Sequence, residues 1–212
     1  MPWLKLEQGS EAWLSARRGM VTGSRFKDCR DRLKNGNPSK ACMDYARDVA
    51  RERCGGQAPK KNQNSAMRVG VEQEPVARAR YEAATGHMVE EVGFYVSDDG
   101  LFGLSPDGLI DDDGVLEVKT IVSSDTLFTA LVDGDWSEYR DQCLGYLWLL
   151  GRQWVDLVLW VPDLDKGGRQ GLHIVHIDRS AHEDAIEKLE ADLMKFAVLV
   201  DEFETKLRLK AA

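Results

Sequence analysis

The alternation of apolar and polar positions is sharpest at Val115-Leu116-Glu117-Val118-Lys119. Successive side chains of a strand point to opposite faces. Leu116 and Val118 then enter one layer, and Glu117 and Lys119 share the other. A carboxylate and an ammonium on one face of a buried strand are costly to desolvate, so they call for a reason. Trp154–Val161 is an unbroken apolar run that reads as a central strand, and Leu172–Ile177 as another. Met88–Val96, Gly100–Ser105 and Val115–Ile121 read in sequence as a three-stranded meander.

Helical periodicity fills most of the rest. Ser10 suits an N-cap for a helix through Arg18, with Gly19 at the position that ends it. Thr22-Gly23-Ser24 opens a second helix to about Lys34. Lys40–Cys54 follows, with Ala41, Met43 or Tyr45, Val49 and Ala50 on its apolar side. Ala66–Thr85 places Gly70, Glu74 and Ala77 on one stripe, and Pro75 marks a kink or a new first turn. Ser124–Asp133 is a short helix. Ser137–Leu150 is a stronger one, capped by Ser137 and ended by Gly151, with Tyr139, Gln142, Cys143 and Tyr146 at helical spacing. Ala181 to about Leu209 is a long amphipathic helix that would pack on the sheet or on a neighbouring subunit. Residues 35–40 and Gly55–Ser65 are loops by composition, the second suited to touching a flexible polymer. Helix, three strands, helix, strand, strand, helix is an α/β layered order.

The 212 residues make one domain, with 43% hydrophobic and 30% charged residues. We read residues 1–65 as its helical part and 66–212 as its core with the C-terminal helix. No apolar run is long enough for a transmembrane helix, and the first residues lack a signal-peptide core. Cys29, Cys42, Cys54 and Cys143 form no Cys-x-x-Cys pair, so free thiols in a reducing cytosol are expected. The net charge of −8 speaks against a polyanionic partner, but its distribution changes the picture. Residues 1–61 carry 14 Lys and Arg against 7 Asp and Glu, and residues 62–212 carry the other 14 against 29. Either a basic nucleic-acid surface or ordinary solvated helix faces would give that asymmetry.

The candidate chemistry centres on the alternating strand. Asp107, in Ser-Pro-Asp-Gly, lies ten residues before Glu117 with a Gly108–Gly114 reversal between them. A hairpin would return it beside Glu117. Two carboxylates and a lysine there can hold a hard divalent cation and set an amine beside a water. The plain alternative is a hairpin with an exposed Asp and an incidental ion pair. Ser24 at a helix start, with Arg17 and Arg18 nearby, would make an anion site, although the local pattern alone favours an ordinary capped helix pair. His173 and His176, three apart on a strand, face opposite ways and suit no shared metal.

Ser-Pro-Asp-Gly followed by Leu-Glu-Val-Lys resembles the core motif of the PD-(D/E)xK nucleases. The helix with Gly70 and Glu74 and the helix with Gln142 and Tyr146 fit the same layout. Trp13-Leu14-Ser15-Ala16-Arg17-Arg18-Gly19-Met20-Val21-Thr22-Gly23-Ser24 resembles the opening of the lambda-exonuclease, or YqaJ, branch. The similarity runs from Glu7 to the C-terminal helix. It departs after the lysine, where Thr120-Ile121 replace Cys-Pro, and Asp125 argues against carrying over basic DNA contacts from that loop.

The resemblance implies a restriction-endonuclease-like core, a mixed central sheet flanked by helices with a helical N-terminal part. It implies a Mg2+-dependent exonuclease, with Mn2+ as a substitute, that degrades one strand of duplex DNA from the 5′ end to mononucleotides. A homotrimer at double-stranded DNA ends, working beside a single-strand annealing protein in phage recombination, is implied too, in the host cytosol if phage-encoded. Asp107, Glu117 and the Val118 carbonyl would hold the metal, and Glu74 would complete the acidic cluster. Lys119 would orient or deprotonate the attacking water, which Gln142 would help to position. Arg17 and Ser24 would bind the terminal 5′ phosphate, and Met67 would be the wedge at the end base pair. The alternatives are a structure-specific or restriction-type endonuclease on the same core and a catalytically silent DNA-end partner.

Overall fold

The computed structural model describes residues 3–59 and 65–211. The expected loop over Gly55–Ser65 therefore lies partly, at 60–64, outside the described residues. In chain order the strands are β1 (Trp3–Leu4), β2 (Val21–Thr22), β3 (Val89–Glu90), β4 (Phe94–Val96), β5 (Phe102–Leu104), β6 (Gly108–Ile110), β7 (Gly114–Thr120), β8 (Trp154–Trp160) and β9 (Leu172–Asp178). The α-helices are α1 (Glu11–Ala16), α2 (Phe26–Arg30), α3 (Lys40–Arg53), α4 (Ser65–Thr85), α5 (Ser124–Leu127), α6 (Ser137–Leu150), α7 (Pro162–Lys166) and α8 (Glu183–Ala211). They form two interleaved compact units, Met1–Lys60 with Gly93–Ser105 and Asp184–Ala212, and Lys61–Val92 with Pro106–Glu183.

The first unit holds a mixed sheet in the order β1-β4-β5-β2, with β2 parallel to β5 and the other pairs antiparallel. Its core joins the sheet to α2, α3 and α8. Phe26 meets Phe102 edge-on, and Tyr45 stacks on Phe196 with ring centroids 5.4 Å apart. Tyr45 also accepts the Thr22 N–H at 2.9 Å, and burial pushes its phenol up to about 12. Ile186, Leu189, Leu193, Phe196 and Val200 form the buried stripe of α8. The apolar side of α3 is Cys42, Tyr45, Ala46, Val49 and Ala50. Ala41, expected there, is exposed.

The second unit holds the sheet β3-β6-β7-β8-β9, in which only β7 and β8 are parallel. Parallel neighbours need a crossover, and the chain makes it through α5 and α6. Leu116 and Val118 bury against Ala77 and Tyr81 of α4 together with Ile110, Val158 and Trp160. β8 is buried on both faces, as its apolar run requires. Asp156 is its one charged residue, 5% exposed, and accepts from the Tyr81 hydroxyl at 2.5 Å. Its other oxygen lies 2.5 Å from His176 Nδ1.

Several elements differ from the sequence pattern. Met88–Val96 is two strands in two sheets, so the expected meander does not form. A Cβ on Gly93 would lie 1.9 Å from the Leu4 carbonyl oxygen, so the backbones of that turn and of β1 meet where only glycine fits. The first helix stops at Ala16, and Ser24 sits in a 3-10 turn, Gly23–Arg25, rather than at an α-helix start. α2 ends at Arg30, because Ser39 N–H bonds the Asp31 carbonyl and Leu33 N–H the Asn37 carbonyl, closing the 31–39 loop. Beyond Leu127 the helix widens into a π-helix, Phe128–Val132. Ser137 is not the cap of α6; Asp135 Oδ1 accepts its N–H at 2.8 Å. Gly151 at φ +65° ends α6 as expected. Pro75 lies within α4 without ending it. The four cysteines are free thiols, three of them buried.

Candidate active site

The antiparallel hairpin of β6 and β7 pairs Gly108 with Leu116. Asp107, one residue earlier, donates its N–H to the Leu116 carbonyl at 3.2 Å. Its side chain then runs on past the end of β6, where Asp107 Oδ2 accepts the Val118 N–H at 2.6 Å. Alternation turns the Val118 carbonyl to the same side, beyond the last β6 partner. Asp107 Oδ1 has no hydrogen-bond partner among the described residues. One oxygen is thus fixed, and the other is presented.

Glu117 is only 2% exposed, and both of its oxygens have partners. Its Oε1 lies 2.6 Å from Lys119 Nζ and accepts Gln142 Nε2 at 2.8 Å. Its Oε2 accepts the Tyr146 hydroxyl at 2.5 Å. Gln142 ties the set together: Oε1 accepts from Lys119 Nζ at 3.1 Å, and Nε2 also donates to the Tyr146 oxygen at 2.7 Å. The face-sharing of Glu117 and Lys119 on β7, and of Gln142 and Tyr146 on α6, is what makes this network possible.

The electrostatics reflect crowded negative charge. Burial first, then Glu117 and Glu74, push the Asp107 carboxyl well above the usual carboxylate range, against Lys119 and the Val118 N–H. Burial also raises Glu74, with Glu117 and Glu91 acting the same way and Arg78 and Lys119 opposing. For Lys119 burial works against the ammonium, but Glu117, Asp107 and the bond to Glu117 outweigh it and raise the pKa. Tyr146 is raised by burial, Glu117 and Asp107, so it stays a phenol and donates. Cys143, buried beside them, is raised by burial first and is held as a thiol.

The candidate donors are all oxygens, from Asp107, Glu117, Glu74 and the Val118 carbonyl. That is the chemistry of a hard divalent cation. Glu74 is half-buried and has no hydrogen-bond or ion-pair partner among the described residues. No three Asp, Glu, His or Cys side chains among those residues already form a cage. A cation with water in its shell, as Mg2+ prefers, fits such a set.

The structure therefore brings Asp107, Glu117, Val118, Lys119 and Gln142 together, with Glu74 coupled to them by charge. Met67 lies two turns before Glu74 on α4 and is 53% exposed. Arg17 and Ser24 belong to the first unit. Arg17 follows α1, and its guanidinium lies 4.0 Å from the Trp13 ring centroid. The Trp13 indole in turn donates to Ser105 Oγ at 3.0 Å. Ser24 is exposed on its 3-10 turn. Sequence reasoning missed the Tyr146 bond to Glu117 and the Tyr139 ring 5.7 Å from Lys119 Nζ, although their helical spacing was visible.

The model of a family described as the YqaJ-like viral recombinase domain matches residues 12–153. An alkaline exonuclease from Laribacter hongkongensis is 31% identical, with 95% of this chain and 98% of that chain covered at a TM-score of 0.80. The same exonuclease in complex with dAMP matches at 0.73, also at 31% identity, over 96% of this chain and 100% of that one. A phage-related exonuclease from Haemophilus somnus 129PT shares the fold at 14% identity and a TM-score of 0.66, over 91% and 96% of the two chains. No curated protein matches the sequence.

Proposed function

The chain belongs to the YqaJ-like viral recombinase family and is a nuclease of the lambda-exonuclease type, and from that premise we propose that it is a Mg2+-dependent 5′–3′ exonuclease. It would act on one strand of linear duplex DNA and release mononucleotides. One observation carries this reading: Glu117 and Lys119 form a 2.6 Å ion pair on one face of β7, next to an Asp107 whose Oδ2 is fixed and whose Oδ1 is not. The dAMP held by the Laribacter hongkongensis exonuclease supports a mononucleotide product.

Asp107, the Val118 carbonyl, Glu117 and Glu74 would hold the cation. A cation held there would supply positive charge against the phosphodiester and would make a water more acidic. Lys119, held by Glu117 and Gln142, would orient or deprotonate the attacking water and offset charge on the pentavalent phosphorus. Gln142 fixes the Lys119 ammonium and the Glu117 carboxylate relative to each other, and Tyr146 holds Glu117 from behind. Arg17 and Ser24 would grip the 5′ phosphate, Met67 would wedge the end base pair, and the basic first 61 residues would contact backbone phosphates. A homotrimer around the duplex and a single-strand annealing partner in the cytosol complete the proposal.

The test is a pair of substrates, linear duplex and covalently closed circle, each with Mg2+ or with a chelator. The expected outcome is digestion of the linear form alone, and only with Mg2+. Cutting of the closed circle would instead support an endonuclease on the same core.

A further inference from the structure

Arg78 has no part in the reaction as proposed, yet it contacts the element that presents Asp107. It lies on α4 one turn after Glu74, and its side chain is 14% exposed. Arg78 Nη1 is 3.4 Å from the main-chain carbonyl oxygen of Asp107. Arg78 Nη2 is 2.8 Å from Glu91 Oε1. Glu91 directly follows β3, and Asp107 directly precedes β6. Those two strands pair, Val89 with Ile110 and Glu90 with Leu109. They pair closely, since a Cβ on Gly108 would lie 2.1 Å from Val89 Cγ1. One guanidinium thus joins the helix of Glu74, the end of β3 and the turn of Asp107.

We infer that Arg78 is a positioning residue that locks the Asp107 turn to α4, so that the Asp107 and Glu74 carboxylates keep a fixed spacing for a divalent cation. This rests on the metal-site reading above. The two contacts diverge from one planar group, which is what a guanidinium can do and a lysine ammonium cannot do with the same geometry. The Glu91 carboxylate is largely exposed, so that ion pair by itself adds little to stability. Its use is to hold the guanidinium in the plane that reaches Asp107.

The experiment is a calorimetric titration with Mg2+ of the wild type and of Arg78→Gln, Arg78→Lys and Glu91→Gln, with a thermal melt of each. Arg78→Gln should weaken cation binding about ten- to a hundredfold, the usual effect of removing a group that orients metal ligands. Arg78→Lys should fall between it and the wild type. Glu91→Gln should weaken binding a few-fold without lowering the melting temperature. The Mg2+ concentration for half-maximal cleavage should move with the binding constant, while kcat at saturating Mg2+ changes little. Wild-type affinity in Arg78→Gln with a lowered melting temperature would overturn the inference and leave Arg78 a structural residue. If Arg78→Gln does not fold, unchanged affinity in Glu91→Gln overturns it. A wild-type chain that binds no Mg2+ would sink the metal-site reading, a result distinct from binding that ignores Arg78.

Discussion

Lys119 and Glu117 are two residues apart, 2.6 Å apart in space, and unequal in role. Glu117 is buried and accepts from three side chains, so it anchors the site; Asp107 presents an oxygen; Lys119 donates. Asp107→Ala, Glu117→Ala and Lys119→Ala should each abolish cleavage, with circular dichroism showing an intact fold. Lys119→Ala should keep cation binding, because an ammonium is not a ligand. Near wild-type Mg2+-dependent turnover in any of the three would remove that residue from the account. Arg17 is tested by the chemistry of the DNA end. A charge-assisted bond to phosphate is worth about 1.5–3 kcal/mol, or roughly ten- to a hundredfold in rate. Arg17→Ala should lose that factor on 5′-phosphorylated ends and far less on 5′-hydroxyl ends. Equal defects on both would return Arg17 to the structural part its stacking on Trp13 already gives it. The shared face of Glu117 and Lys119 was legible by strand alternation and that of Gln142 and Tyr146 by helical spacing, while the role expected of Gln142 came only with the family resemblance. Arg78 was not legible, since its partners Glu91 and Asp107 lie 13 and 29 residues on.

At the scale of elements, β7, β8 and α6 were legible for a physical reason. β7 and β8 each carry an apolar stretch of strand length that is buried in the sheet, and α6 ends at the expected Gly151. The 88–96 stretch was not, because its split depends on pairing: Val89 finds Ile110 while Phe94 finds Leu4. No local signal tells a nine-residue apolar-rich stretch that its halves belong to different sheets, apart from Gly93 between them. β1, β2 and α7 were missed because two to five residues give no period to read. The edge of the second sheet carries a further test. His176 Nδ1 lies 2.5 Å from Asp156, and its Nε2 lies 3.4 Å from Asp178. Burial works against the imidazolium, but the bonds and charges of those two carboxylates outweigh it and raise the pKa. A raised folded-state value stabilises fully below the unfolded histidine pKa of about 6.5 and loses that effect as pH rises through the folded value. The side chain is half exposed, so screening holds the effect to about 1 kcal/mol or less. Denaturant melts should show the wild type exceeding His176→Gln by more near pH 5.5 than near pH 9. An equal gap at both would mean that the charge on His176 adds nothing.

For the whole molecule, the interleaving of the two units was invisible in sequence. It needs residues 93–105 and 184–212 to return to a unit begun at the N-terminus. The division of charge was visible: the basic excess lies in residues 1–61, and the acidic excess lies with the candidate active site. Among the described residues no helix is long and apolar enough to cross a membrane. The proposed homotrimer predicts a light-scattering mass three times that of the 23.8 kDa chain. A monomer at working concentration would remove the proposed trimer around the duplex and leave the chemistry standing.

The central claim is that Asp107, Glu117 and Lys119 form a cation-dependent centre that consumes one strand from its 5′ end. It is tested most directly by digesting a 5′-phosphorylated linear duplex labelled at the 5′ end of one strand, and a second duplex labelled at the 3′ end. With Mg2+ the 5′ label should appear first as a mononucleotide, the 3′ label should be released last, and chelator or Asp107→Ala should stop both. Early release of the 3′ label, internal fragments as first products, or digestion that persists in chelator would contradict the account.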